Sequence, residues 1–170
     1  MPGGWSPAIE EMIQGERTGY QPRPVKTVYF EDVKEGDELP KLVMPITVTR
    51  CAYLASGTRD FSPQHHNHYY ATERSKVKDM FLNTPFISGM VSRFLTDWTG
   101  PEGDLKKIRV TIKGSICAGD EMIITGKVTK KYLEAGQHRV DVDIMISTQD
   151  GPSTPCSGTV ILPSKPVKKG

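Results

Sequence analysis

Ile87-Ser88-Gly89-Met90-Val91-Ser92-Arg93-Phe94-Leu95-Thr96-Asp97-Trp98 decides the fold. Ile87, Met90, Val91, Phe94, Leu95 and Trp98 stand at i, i+3, i+4, i+7, i+8 and i+11. That spacing draws one apolar stripe down an α-helix. Gly100-Pro101 ends it. The density of bulky apolar residues makes this the best-buried helix expected in the chain, beginning near Ile87. After it the period changes from helical to two. Ile108, Val110 and Ile112 alternate with Arg109, Thr111 and Lys113. Strands are expected from Met122 to Tyr132, from His138 to Ser147 and from Ser157 to Leu162. Ala118-Gly119-Asp120, Glu134-Ala135-Gly136 and Asp150-Gly151 supply turns. A bent antiparallel sheet around one central helix satisfies this order, because the helix stripe then meets apolar strand faces. The fold class is α+β, a single domain.

Upstream of the helix, Gly36-Asp37 marks a turn and Leu42 to Val48 reads as a strand. Pro45 places that strand at a sheet edge. Thr49 is expected to cap a helix through about Ser56, with Gly57 ending it. Lys76 to Asn83 reads as a polar loop with Met80-Phe81-Leu82 as an apolar island, stopped by Thr84-Pro85. The domain is expected to span 26–165, with 166–170 as a basic tail. Lys165, Lys168 and Lys169 read as a frayed, solvated terminus. Residues 1–25 form an appendage with a short helix from Ser6-Pro7, carrying Ile9, Met12 and Ile13 on one face. A helix that short must dock on its own domain or on a partner.

Composition excludes several classes. A net charge of +2 over 170 residues gives no reason to expect nucleic acid as a partner. No apolar run approaches the roughly 20 residues that span a membrane, and the start lacks a signal-peptide pattern. Three widely spaced cysteines, Cys51, Cys117 and Cys156, form neither a disulfide framework nor a zinc motif. That fits a reducing compartment, so the expected location is cytoplasmic.

The chemistry concentrates in Arg59-Asp60-Phe61-Ser62-Pro63-Gln64-His65-His66-Asn67-His68, which holds three of the four histidines. Pro63 makes this a rigid turn. Such a turn can face a carboxylate and an imidazole onto one small volume, which suits proton transfer. From spacing alone the bland reading also stands, with Asp60 as a helix cap and His65 as a satisfied turn histidine. A metal reading is disfavoured. Adjacent His65 and His66 do not easily point at one ion, and no third ligand stands at zinc spacing. Arg59 is either a structural partner of Asp60 or a contact to a ligand's phosphates. Lys106, Lys107, Arg109 and Lys113 read as a solvated face.

Asp60-Phe61-Ser62-Pro63-Gln64-His65 resembles the Asp-x-Asn-Pro-x-His signature of the MaoC-like (R)-specific enoyl-CoA hydratases, which have a hot-dog fold. The likeness extends over roughly 28–163 and takes in Phe30-Glu31-Asp32-Val33, Gly36-Asp37, Gly89-Met90 and Ala118-Gly119-Asp120-Glu121. A closer likeness runs through Thr58-Arg59-Asp60-Phe61, His65-His66, Lys78-Asp79, Asn83 and Thr96-Asp97-Trp98-Thr99-Gly100-Pro101. These resemble the small subunit of actinobacterial hydratases of steroid side-chain degradation. In that group a MaoC-like subunit carrying Asp and His pairs with a degenerate hot-dog subunit.

The resemblance implies hydration of a trans-2-enoyl-CoA to an (R)-3-hydroxyacyl-CoA, or the reverse, with no cofactor and no metal. It implies Asp60 and His65 as the acid–base pair and Gly89, at the start of the central helix, as an N–H donor to the enolate oxygen. Close helix–sheet packing is the alternative for Gly89. Ser62 stands where the family has Asn, and Ser88 where it has His. Those departures remove volume near the reacting carbons, and Phe81 and Phe86 either line an acyl pocket or anchor the loop. A bulky acyl group is therefore expected. Asp97, if close to Asp60, would raise its pKa; otherwise it is a solvated helix residue. A homodimer or a heteromer with another hot-dog subunit is expected, since one such sheet leaves an open edge. A hot-dog thioesterase and a non-catalytic acyl-binding subunit are the competing functions.

Overall fold

The structure is a computed structural model and describes residues 26–166. The helix expected from Ser6 and the tail lysines Lys168 and Lys169 lie outside the described residues. A 3₁₀ turn, Phe30–Asp32, leads into β1 (Leu42–Pro45) and α1 (Val48–Thr58). A second 3₁₀ turn, Pro63–His65, precedes α2 (His68–Glu73) and the long α3 (Thr84–Thr99). Four strands follow: β2 (Asp104–Val110), β3 (Glu121–Glu134), β4 (Gln137–Thr148) and β5 (Gly151–Ile161). They pair antiparallel in the order β1-β3-β4-β5-β2. The expected hot-dog architecture is present, and β1 with its Pro45 does lie at an edge.

The core forms where the two periodicities meet. Ile87, Met90, Val91, Phe94 and Leu95 of α3 are buried, and Trp98 packs half-buried at the margin. Facing them are Met122, Ile124 and Val128 of β3, Val140, Val142, Ile144 and Ile146 of β4, and Cys156 and Val160 of β5. Two glycines let the sheet approach the helix. A Cβ on Gly126 would stand 2.8 Å from Phe94 Cε1, and one on Gly158 would overlap Leu95 Cδ1. Register shifts interrupt the β2–β5, β3–β4 and β4–β5 ladders. Each such irregularity bends and twists its strand, which helps the sheet curl round α3.

Several boundaries differ from expectation. Thr47, not Thr49, caps α1: its hydroxyl accepts the Arg50 N–H at 3.1 Å. The first strand accordingly stops at Pro45, short of Val48. Gly57 does not end α1. The helix runs to Thr58, and Arg59 takes the left-handed conformation (φ 57°) instead. α3 starts three residues before Ile87, because Asn83 accepts the Phe86 N–H at 3.0 Å and Pro85 suits the first turn. β5 begins at Gly151 rather than Ser157, despite Pro152 and Pro155. The Pro155 carbonyl accepts from Thr111 N–H at 3.1 Å, beyond the end of β2. Its missing N–H therefore faces the β2 side and spares the ladder to β4. Lys165 is no frayed end. Its N–H donates to Glu31 at 3.0 Å and its ammonium pairs with Asp32.

The 76–83 segment is anchored, not loose. Met80 and Leu82 are buried. Leu82 N–H donates to Ile116 C=O at 2.9 Å, and Ala118 N–H to Met80 C=O at 2.7 Å. Phe81 pairs with Cys117 as an isolated β-bridge. Lys78 clamps the segment to the sheet by ion pairs to buried Asp120 and to exposed Asp150. Burial opposes ionisation of Asp120, but the Lys78 ammonium, the Cys117 N–H and the Gln149 amide outweigh it and hold its pKa below the ordinary 3.8. Hydrogen bonds from Lys78 to Asp120 and then Asp150 push the lysine upward.

A carboxyl whose pKa falls on folding adds stability above its unfolded pKa and loses it as pH drops through the folded value. Wild type should therefore weaken as pH falls below about 4. Asp120→Asn should flatten that slope and cost about 2 kcal/mol at neutral pH, because a buried charge-assisted bond is lost. Urea unfolding across the acid range checks this. An unchanged slope in the variant would count against the clamp.

Candidate active site

The turn between α1 and α2 is held from both ends by one short segment. Before Asp60, Thr58 Oγ1 accepts from Asn83 Nδ2 at 2.6 Å. After it, His65 Nδ1 lies 2.8 Å from Phe81 C=O. A carbonyl can only accept, so Nδ1 carries a proton, and in the neutral form of the ring Nε2 is the lone pair. The Phe81 ring meets the imidazole edge-on, centroids 5.0 Å apart. The left-handed Arg59, a conformation that costs on the order of 1 kcal/mol, turns the chain so that Asp60 faces this ring. Asp60 Oδ2 stands 3.4 Å from His65 Nε2, with the imidazole 5% exposed and the carboxylate 34%. The Ser62 N–H donates to Asp60 Oδ1 at 3.4 Å.

Asp60, Ser62, Gln64, His65 and Phe81 line one crevice of about 370 Å³, with Leu82, Asn83, Thr84 and Ile87 along the α3 side and Ile112, Gly114 and Ser115 opposite. A larger depression of about 660 Å³ lies against Lys41, Thr125, Lys127, Asp143 and Met145. It contains no imidazole, so size does not mark the chemistry. In the crevice a carboxylate and an imidazole lone pair converge at 3.4 Å, slightly beyond a normal hydrogen bond. That arrangement leaves room for one water to bond both groups.

The other residues singled out in the sequence fall elsewhere. Arg59 is exposed and forms no ion pair with Asp60 among the described residues. Phe86 packs half-buried against the core. Ser88 is half-buried and outside the crevice lining. Gly89 sits in the second turn of α3, not at its start, and is exposed. A Cβ there would meet nothing within 4 Å, so close packing does not explain this glycine. Asp97 pairs with Arg93 at 3.3 Å on the outer side of α3 and does not line the crevice.

His66 Nε2 bonds Phe61 C=O at 3.1 Å, and His68 pairs with Asp79 at 2.8 Å. Among the described residues no three His, Cys, Asp or Glu side chains gather as a metal site. The three cysteines are free and buried, and burial pushes the Cys51 thiol up to about 11.

Sequence reading gave no role to Gln64, Asn83, Ile112 or Ser115. Asn83 could have been found: Asn before Thr-Pro is a helix-start signal. Ile112 lies beyond β2 and is 43% exposed, so its place at the crevice depends on tertiary folding.

No family model matches the chain. The 3-oxo-4,17-pregnadiene-20-carboxyl-CoA hydratase beta subunit of Mycobacterium tuberculosis is 34% identical over 127 residues, covering 68% of this chain and 96% of that protein. The chain belongs to the MaoC-like hydratase family. Among solved structures, a chain of the ChsH1–ChsH2 complex from Mycobacterium tuberculosis superposes with a TM-score of 0.68 at 26% identity, over 76% of this chain and 98% of that one. The R-hydratase PhaJ1 from Pseudomonas aeruginosa gives 0.73 at 15% identity, over 82% and 88%, a likeness of fold. No helix among the described residues of this chain is long and apolar enough to cross a membrane.

Proposed function

We propose that the chain hydrates a trans-2-enoyl-CoA to the (R)-3-hydroxyacyl-CoA, and catalyses the reverse dehydration, as one subunit of a hot-dog dimer. The observation that carries this is the Asp60–His65 pair, with Nδ1 bound to Phe81 and Nε2 turned to the carboxylate. A water between Asp60 and Nε2 loses a proton to this pair as its oxygen attacks Cβ, and the pair passes that same proton on to Cα. The negative charge that develops on the thioester oxygen needs backbone donors and the positive end of a helix. Gly89 is exposed in the second turn of α3, where helix hydrogen bonding already takes up its N–H, so it does not supply that donor. Phe81 and small Ser62 in the crevice favour a bulky acyl group. The relative's substrate, a pregnadiene carboxyl-CoA, agrees with that choice. The word "beta subunit" in its name, and the two-component complex that matches in fold, support a heteromer over a homodimer.

Incubation with crotonyl-CoA and with a steroid-type enoyl-CoA, following enoyl absorbance and free thiol separately, tests the reading. Absorbance should fall without thiol release, with higher kcat/KM for the bulky substrate. Thiol release would make it a thioesterase. Binding without turnover, alone and with a partner hot-dog subunit, would make it an acyl-binding subunit. A clear preference for crotonyl-CoA would remove the bulky-substrate part alone.

A further inference from the structure

We propose that Gln64 is the positioning residue for His65, holding Nε2 as a proton acceptor through a side-chain amide that is itself fixed by Ser75. The inference rests on the hydratase reading for its kinetic consequence, though not for its geometry. Gln64 precedes His65 in the 3₁₀ turn Pro63–His65 and lines the same crevice. Its Nε2 lies 3.5 Å from His65 Nε2. The Ser75 hydroxyl donates to Gln64 Oε1 at 3.3 Å. Nδ1 donates to Phe81, so Nε2 of the neutral ring accepts; the amide therefore turns its NH₂ to the ring and its oxygen to Ser75, whose hydroxyl serves either end.

His65 Nδ1 already donates to Phe81. In the neutral ring Nε2 therefore needs a donor, and two groups stand beside it. Asp60 at 3.4 Å is a carboxylate and offers a proton only if one is placed between them. Gln64 offers an N–H permanently. Ser62 lines the crevice as well, but its short side chain carries no amide. Among the described residues Asp60 is the only other ionisable side chain on the crevice wall. Gln64 keeps the lone pair aligned and ready, and the long distance leaves it free to be taken up by an incoming water proton.

The test uses Gln64→Leu and Ser75→Ala in the full-length protein, with ¹⁵N-labelled histidine. In Gln64→Leu the His65 Nε2 resonance should move toward that of an acceptor without a hydrogen bond, and kcat should fall about five- to tenfold while KM changes less than twofold. Ser75→Ala should move the resonance the same way by a smaller step. A folded Gln64→Leu with an unshifted Nε2 resonance overturns the proposal. Should Gln64→Leu not fold, an unshifted resonance in Ser75→Ala overturns it equally. A shifted resonance in a chain that hydrates nothing sinks the hydratase reading and leaves the positioning role standing.

Discussion

Asp60→Asn and His65→Ala should each lower enoyl-CoA hydration by about 10²–10⁴-fold, the usual contribution of a positioned acid or base. The reason is geometric. Asn at 60 keeps the shape of Asp60 but cannot take a proton from water. Ala at 65 removes Nε2 and frees the Phe81 carbonyl. The two losses should also fail to add. If one water bonds both groups, the double variant is little slower than the worse single one. Stability should respond unequally. Asp60 is a third exposed and should be tolerated within about 0.5 kcal/mol. His65 is buried and bonded to a backbone carbonyl, so its removal costs about 1–2 kcal/mol. Turnover with melting curves on the same samples separates the effects. Near wild-type turnover in both variants would sink the assignment.

The second large effect lies in the core. Leu95→Ala should cost roughly 2–5 kcal/mol, since Leu95 is fully buried on the central helix. Gly158→Ala should cost roughly 1–3 kcal/mol by overpacking, because its new methyl overlaps Leu95. Combined, they should cost less than their sum. The cavity left by one accepts the methyl added by the other, giving a coupling of about 1 kcal/mol. Chemical denaturation of the four proteins measures it. Strict additivity would mean that Gly158 serves something other than the approach of helix to sheet.

The central helix and the run of strands after it were legible because burial leaves a period. Six apolar residues at helical spacing have one solution, and the alternating Val140, Val142 and Ile144 another. Boundaries were less legible because caps compete locally. Thr47 and Thr49 stand on either side of the helix's first residue, and Thr47 is the one whose hydroxyl accepts the Arg50 N–H. Gly57 looked like a stop, but helix hydrogen bonding continued and a non-glycine residue took the left-handed turn. The site divided in the same way. Asp60 and His65 share a local turn, so the short motif brings them together. Asn83, Ile112 and Ser115 reach the crevice from segments that meet only after the sheet has formed. Gln64 was visible but mute, since nothing in the sequence showed that Ser75 would fix its amide.

The double fastening of the Asp60–His65 turn to residues 81–83 bears on when its ordering cost falls. Residues 80–82 are in turn bonded to 116–118, and Lys78 ties the same segment to Asp120. The orientation of the imidazole is therefore settled once, during folding, as part of closing the sheet. It need not be found again at each encounter with substrate. The rotational entropy of the ring is drawn from the folding equilibrium, where burial of the core offsets it, and the activation barrier carries less of it.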